Sequence, residues 1–133
     1  LSWKYQPADE AEFAAKDFND SDWKSVTNDE INDNPVETLE KWNGRAWFRL
    51  RLRVDESLVG KPLAARTWHW GATEIYLNGN LVQSYGAINL ERGDAEYNPR
   101  GLYFPIVFDS AGTHTLAVRY SFDSMSDLSS ARS

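Results

Sequence analysis

A chain of 133 residues without cysteine and with a formal charge of −6 can bury one core with no disulfide staple, and lacks the thiols for cysteine catalysis or Cys-type zinc sites. Its acidic balance argues against a nucleic-acid surface, which needs clustered Lys and Arg along the phosphates. Six Trp, six Tyr and six Phe point to an ordered domain with a ring-rich core.

No apolar run approaches the roughly 20 residues of a membrane span. Leu1-Ser2-Trp3 is neither an initiator Met nor a signal peptide, so the chain is expected to be a segment of a longer protein. Residues 1–45 are polar and punctuated, with Trp3, Tyr5, Phe13, Phe18, Trp23 and Trp42 spread through acidic, Asn-rich sequence. No period is sustained there, so an irregular wrapping arm is expected. One short helix is expected over Ala8 to Ala15, and Asp20 or Ser21 is expected to cap a turn that carries Trp23 inward.

From Ala46 the pattern changes: Ala46, Phe48, Leu50, Leu52 and Val54 alternate with Trp47, Arg49, Arg51 and Arg53, the period of a half-buried strand. β-prone residues continue through Lys61 to Trp70 and Glu74 to Leu77, and Asn78-Gly79 before Leu81-Val82 predicts a tight hairpin. Ala87 to Arg100 has no period and several turn formers, which predicts a long surface loop. Strands are expected again over Leu102 to Phe108 and Thr113 to Phe122, with His114, Leu116, Val118, Tyr120 and Phe122 on one face. Many short strands without intervening helices predict an all-β fold, a two-sheet jelly-roll sandwich over residues 1–123, with a Ser-rich tail or linker over 124–133.

Four stretches carry a resemblance: Asp17 to Trp23, Gly44 to Arg49, Ala72 to Gly79 and Gly112 to Tyr120. In this order they resemble the galactose-binding-like jelly roll that opens family-2 glycoside hydrolases. Three further features, Gly71 to Gly79, Tyr97-Asn98-Pro99 and Ala117 to Ser121, resemble extracytoplasmic input domains of bacterial sensor histidine kinases. Ala87 to Leu90 replaces the Gly-Gly-x-x-Pro-Phe-like segment of the glycosidases, which tilts the expectation towards a non-catalytic sensor input domain. The other resemblance implies an accessory sugar-binding domain whose catalytic acids lie in a separate barrel. Both imply an extracytoplasmic module of a larger protein, joined to any membrane only through other segments.

Trp68 and Trp70 are candidates for stacking on a sugar face, with His69 pointing the other way along the strand. Tyr85, Tyr97, Asn98 and Arg100 lie in or beside the long loop and suit a polyol or carboxylate. The competing reading of these residues is core packing and loop geometry. Arg49, Arg51 and Arg53 read as a solvated ladder balanced by cross-strand acids. Asp17 to Asp22 matches a calcium loop only loosely, lacking Gly at its sixth position and Glu at its twelfth. No cofactor is expected, with a structural calcium kept open. His69 and His114 sit in no catalytic spacing, so no catalytic residue is assigned. The expected partner is a carbohydrate or another small ligand, with a homodimer left open.

Overall fold

A computed structural model of the chain describes residues 2–66, 72–86 and 103–121. Eight strands are formed: β1 (Ser2–Gln6), β2 (Lys24–Thr27), β3 (Arg45–Val54), β4 (Leu63–Arg66), β5 (Ala72–Leu77), β6 (Asn80–Tyr85), β7 (Tyr103–Ile106) and β8 (Gly112–Ser121). Two short helices, α1 (Asn28–Asp33) and α2 (Pro35–Thr38), stand between β2 and β3. Single 3-10 turns occupy Ala11–Ala14 and Glu56–Leu58. The strands make a six-stranded sheet in the order β2-β1-β3-β8-β5-β6 and a two-stranded sheet β4-β7, and every pairing is antiparallel. The protein is an all-β sandwich, as the strand spacing predicts.

β3 and β8 form the spine of the large sheet, paired from Arg45↔Ser121 to Val54↔Gly112. The inner face of β3 carries Leu52 and Val54. With Ile75, Leu77 and Tyr85 they pack on Phe104, Ile106 and Phe108 and on Leu63 and Ala65 of β4, so this cluster fills the space between the sheets. Towards β1 the same face is closed by other means. Tyr5, Val26, Ala46 and Tyr120 are covered by Leu39, Ile31 and Trp42 from the helical segment. That segment starts where Thr27 Oγ1 accepts from the Glu30 amide and Glu30 Oε1 accepts from the Thr27 amide, a capping box written as Thr-x-x-Glu. Pro35 then opens α2, a position where its missing N–H costs nothing.

The N-terminal region differs from the irregular arm expected. β1 lies inside the large sheet between β2 and β3, and Trp3 and Tyr5 alternate with Lys4 and Gln6. Five residues are too few for that alternation to stand out among the charges around it. The helix expected over Ala8 to Ala15 shrinks to the turn Ala11–Ala14. Trp23 does turn inward: its amide donates to the Asp20 carbonyl at 3.0 Å and its ring joins Phe13, Phe18, Trp47 and Ala117.

That last cluster corrects the reading of β3 as half buried. Residues 8–23, a strap, cross the outer face of the large sheet, so Trp47 and Arg49 are as buried as their inward neighbours. Phe13 meets Trp23 and Trp47 edge-on at 4.9 and 6.1 Å, and Trp47 stacks on Tyr76 at 5.6 Å. The predicted hairpin is present: Asn78 and Gly79 have φ of 50° and 89°, and positive values at both central residues are the signature of a type I′ turn. The expected tail from residue 124 lies outside the described residues.

Candidate functional site

Two polar sites lie under the strap, and both are built from alternate residues of β3 and its neighbours. In the first, Arg49 is 1% exposed and Asp20 2%. Arg49 Nε donates to Asp20 Oδ2 at 2.8 Å. Its Nη1 donates to the carbonyls of Phe13 and Ala15 at 2.6 and 2.9 Å, and its Nη2 to those of Lys16 and Phe18 at 3.4 and 3.3 Å. All five N–H donors of the guanidinium thus have acceptors, four of them strap carbonyls that a non-repetitive segment would otherwise leave unpaired. Arg51 adds a bond to Asp20 Oδ1 at 2.9 Å. The arginines therefore do not form a solvated ladder balanced across strands: Arg49 and Arg51 share one carboxylate from the strap. Burial alone would raise the Asp20 carboxyl, but the hydrogen bonds from Arg51 and Arg49 outweigh it and hold the group below its ordinary range. With both oxygens so engaged, Asp20 is a poor calcium ligand, and no metal-ligating group of three His, Cys, Asp or Glu occurs among the described residues.

The second site centres on Asp9 and Arg119. Arg119 Nε and Nη2 donate to Asp9 Oδ1 and Oδ2 at 2.8 and 2.7 Å, a bidentate fork. Trp47 Nε1 donates to Asp9 Oδ1 at 2.8 Å, and Arg45 Nη1 lies 3.5 Å from Asp9 Oδ2. Arg119 Nη1 reaches Glu74 at 3.2 Å, and the Tyr76 hydroxyl donates to Glu74 at 2.8 Å. Burial pushes the Asp9 carboxyl up, while Arg119 and Trp47 pull it further down, so the net shift is downward. Burial and the bond to Glu74 push the Tyr76 phenol up to about 12. A carboxyl held ionised and a phenol held neutral do not supply the group poised near neutrality that general acid or base catalysis uses. The site acts as a clamp that ties the start of the strap to β3, β5 and β8.

Its position is informative. The registers Arg45↔Ser121, Ala72↔Ser121 and Thr73↔Tyr85 put the start of β3, the end of β8, the start of β5 and the end of β6 at one end of the large sheet. Arg66↔Tyr103 is the pair from which residues 67–71 and 87–102 leave the small sheet. The described residues Ala72 and Tyr85, which border the sequence candidates in the chain, thus lie at the end of the large sheet that carries the Asp9 clamp. Trp68, His69, Trp70, Tyr97, Asn98 and Arg100 themselves lie outside the described residues. Tyr85 is described: it is 7% exposed, packs in the inter-sheet core, and meets Phe104 edge-on at 6.2 Å. β6 ends one residue before a positive-φ Gly86, and the last side chain of the strand turns into the core. Arg45, Glu74, Tyr76 and Arg119 lie in the stretches that carry the family resemblance but are not among the site candidates read from sequence, and Asp9 lies in none of those stretches. β3 alternation puts Arg45 on the Trp47 face, but no local signal links either to Asp9, 38 residues from Trp47.

The fold and these sites define a small all-β sandwich whose polar clusters close upon themselves. No family model matches the chain, and no curated protein does. Solved structures do match it. A β-glucuronidase of Bacteroides uniformis superposes over 90% of this chain and 14% of its own, with a TM-score of 0.62 and 23% identity. A glycosyl hydrolase family 2 member of Bacteroides cellulosilyticus covers 93% of this chain and 17% of its own, at 0.63 and 20%. A Faecalibacterium prausnitzii β-glucuronidase covers 91% and 20%, at 0.57 and 17%. The chain thus spans a fifth or less of these proteins, and at such identity the likeness is one of fold, consistent with the galactose-binding-like sandwich expected from sequence.

Proposed function

We propose that the chain is a non-catalytic accessory domain of a family-2-like glycoside hydrolase. The observation that carries this reading is the match of 90% of the chain to only 14% of a much larger β-glucuronidase, with similar proportions in a family 2 member. The closed clamps agree with it, because the carboxylates they contain are tied to arginines and serve folding. Carbohydrate contact is assigned to Trp68 and Trp70, whose indoles suit the apolar face of a pyranose, with Tyr97, Asn98 and Arg100 supplying polar contacts. The domain then works by holding sugar near a catalytic unit elsewhere in the parent protein, and an extracytoplasmic location goes with that role.

The test compares the full-length natural protein that contains this chain with the chain alone, on a panel of aryl β-glycosides that includes a β-glucuronide. The full-length protein should release the aglycone and the chain alone should not. A parent protein without hydrolytic activity, or a chain that hydrolyses by itself, overturns the reading.

The sensor input domain expected above keeps the support of the Gly71 to Gly79 and Ala117 to Ser121 resemblances, to which the structural neighbours add nothing. That reading requires membrane spans and a kinase or phosphatase domain in the parent protein, where the first requires a catalytic barrel.

A further inference from the structure

We infer that the side chain of Asn78, the ring of His114 and the amide of Thr115 form a proton-sensitive latch at the tip of the β5–β6 hairpin, closed only while the His114 ring is neutral. The Thr115 backbone N–H can only donate, and it lies 2.9 Å from Asn78 Oδ1. The Asn78 amide therefore faces Thr115 with its oxygen, because the reverse orientation would set donor against donor. Its nitrogen, Nδ2, then faces His114 Nδ1 at 2.7 Å. Nδ1 must accept, so it carries no proton. The remaining ring proton sits on Nε2, which donates to the Ser110 carbonyl at 2.7 Å. A doubly protonated ring has no place in this chain of bonds: a proton on Nδ1 would confront the Asn78 NH2 group, and turning the amide over would break the bond to Thr115.

The surroundings do not offset that conflict. His114 is buried on the inner face of β8. Phe108 packs against its ring at 4.9 Å, and its register partner on β3 is Leu52. Arg51 and Arg53, either side of Leu52, project from the other face of that strand. Asp109 in the β7–β8 connection is exposed, and no described carboxylate pairs with the ring. On the hairpin side the ring meets the uncharged Asn78, whose backbone N–H also donates to the Thr115 carbonyl at 2.9 Å.

The latch reaches the strap. Thr115 Oγ1 donates to the Lys16 carbonyl at 3.4 Å, and a Cβ on Gly79 would stand 3.9 Å from the Ala14 carbonyl oxygen. The latch thus lies against the backbone that Arg49 grips at Ala15 and Lys16.

The test is nuclear magnetic resonance of the whole chain. It contains two histidines, so a proton–nitrogen correlation of the imidazoles shows two rings, and His69→Gln assigns them. At neutral pH the His114 ring should be in the Nε2–H form. On acidification its ring signals, the Thr115 amide and the Asn78 side-chain amide should shift with one midpoint. In His114→Asn, which keeps an acceptor oxygen near the place of Nδ1, the Thr115 and Asn78 signals should lose that response. An Nδ1–H ring at neutral pH overturns the proposal, as does protonation of His114 that leaves the Thr115 and Asn78 signals in place. If His114→Asn does not fold, the ring and amide signals of the unaltered chain decide the matter.

Discussion

Replacing Arg49 by Met tests whether the strap is held by one guanidinium. The methionine keeps much of the apolar stem, so the loss is mainly polar. Asp20, 2% exposed, keeps only Arg51, and the carbonyls of Phe13 and Ala15 lose donors at 2.6 and 2.9 Å. Removing one partner of a buried ion pair costs about 3–5 kcal/mol, and each stranded buried acceptor about 1–3 kcal/mol. These overlap, so about 3–5 kcal/mol is expected in total, a large share of the roughly 5–15 kcal/mol that holds a domain together. Arg51 bonds to the same carboxylate at 2.9 Å, but its side chain is 47% exposed. Arg51→Ala should therefore cost no more than about 1 kcal/mol. Urea unfolding followed by tryptophan fluorescence measures both, since Trp23 of the strap and Trp47 beneath it are both buried. If the strap detaches first in Arg49→Met, the m-value of the remaining transition should also fall, because Phe13, Phe18 and Trp23 are then already exposed. Equal losses at Arg49 and Arg51, or a loss below about 1 kcal/mol at Arg49, would mean that the strap is not held chiefly through Arg49.

Acid should weaken the same contacts. The Asp9 and Asp20 carboxyls are held below their ordinary value in the folded state, so the unfolded chain takes up protons first. The stability they contribute is complete above the ordinary carboxylate value of about 3.9 and is lost as the pH falls below it. Melting temperatures across that range should drop, and less steeply in Asp20→Asn, whose starting stability is lower; parallel curves would count against the assignment. Thr27→Ala removes half of the capping box and should cost about 1 kcal/mol by chemical denaturation. Asn78→Ala places a side chain without that amide at φ 50° and strands the Thr115 amide, for about 1–3 kcal/mol, whereas Asn78→Gly should recover only the backbone part. Trp70→Ala should weaken binding of a glycan ligand by up to about tenfold with an unchanged melting temperature, and unchanged affinity removes Trp70 from the proposed contact surface.

What could be read from the sequence follows the range of the interactions concerned. The hairpin was legible because a type I′ turn needs φ above zero at two adjacent residues, and Asn78-Gly79 states that locally. β3 and β8 were legible as strands for the same reason, since alternation is a property of neighbours. Their burial was not, because Trp47 and Arg49 are covered by a strap some thirty residues away. A strap held through its own Asp9 and Asp20 by arginines of β3 and β8 needs no period of its own, so it reads as polar loop, and β1 is hidden by its brevity. The polar sites were illegible for a related reason: Arg119 and Asp9 are 110 residues apart, and an arginine looks the same in sequence whether it meets water or a carboxylate. Tyr85 shows the limit from the other side. A tyrosine at the end of a strand fits a ligand platform and a core ring equally well by local pattern, and its contact with Phe104 on β7 is a long-range one that no local pattern states.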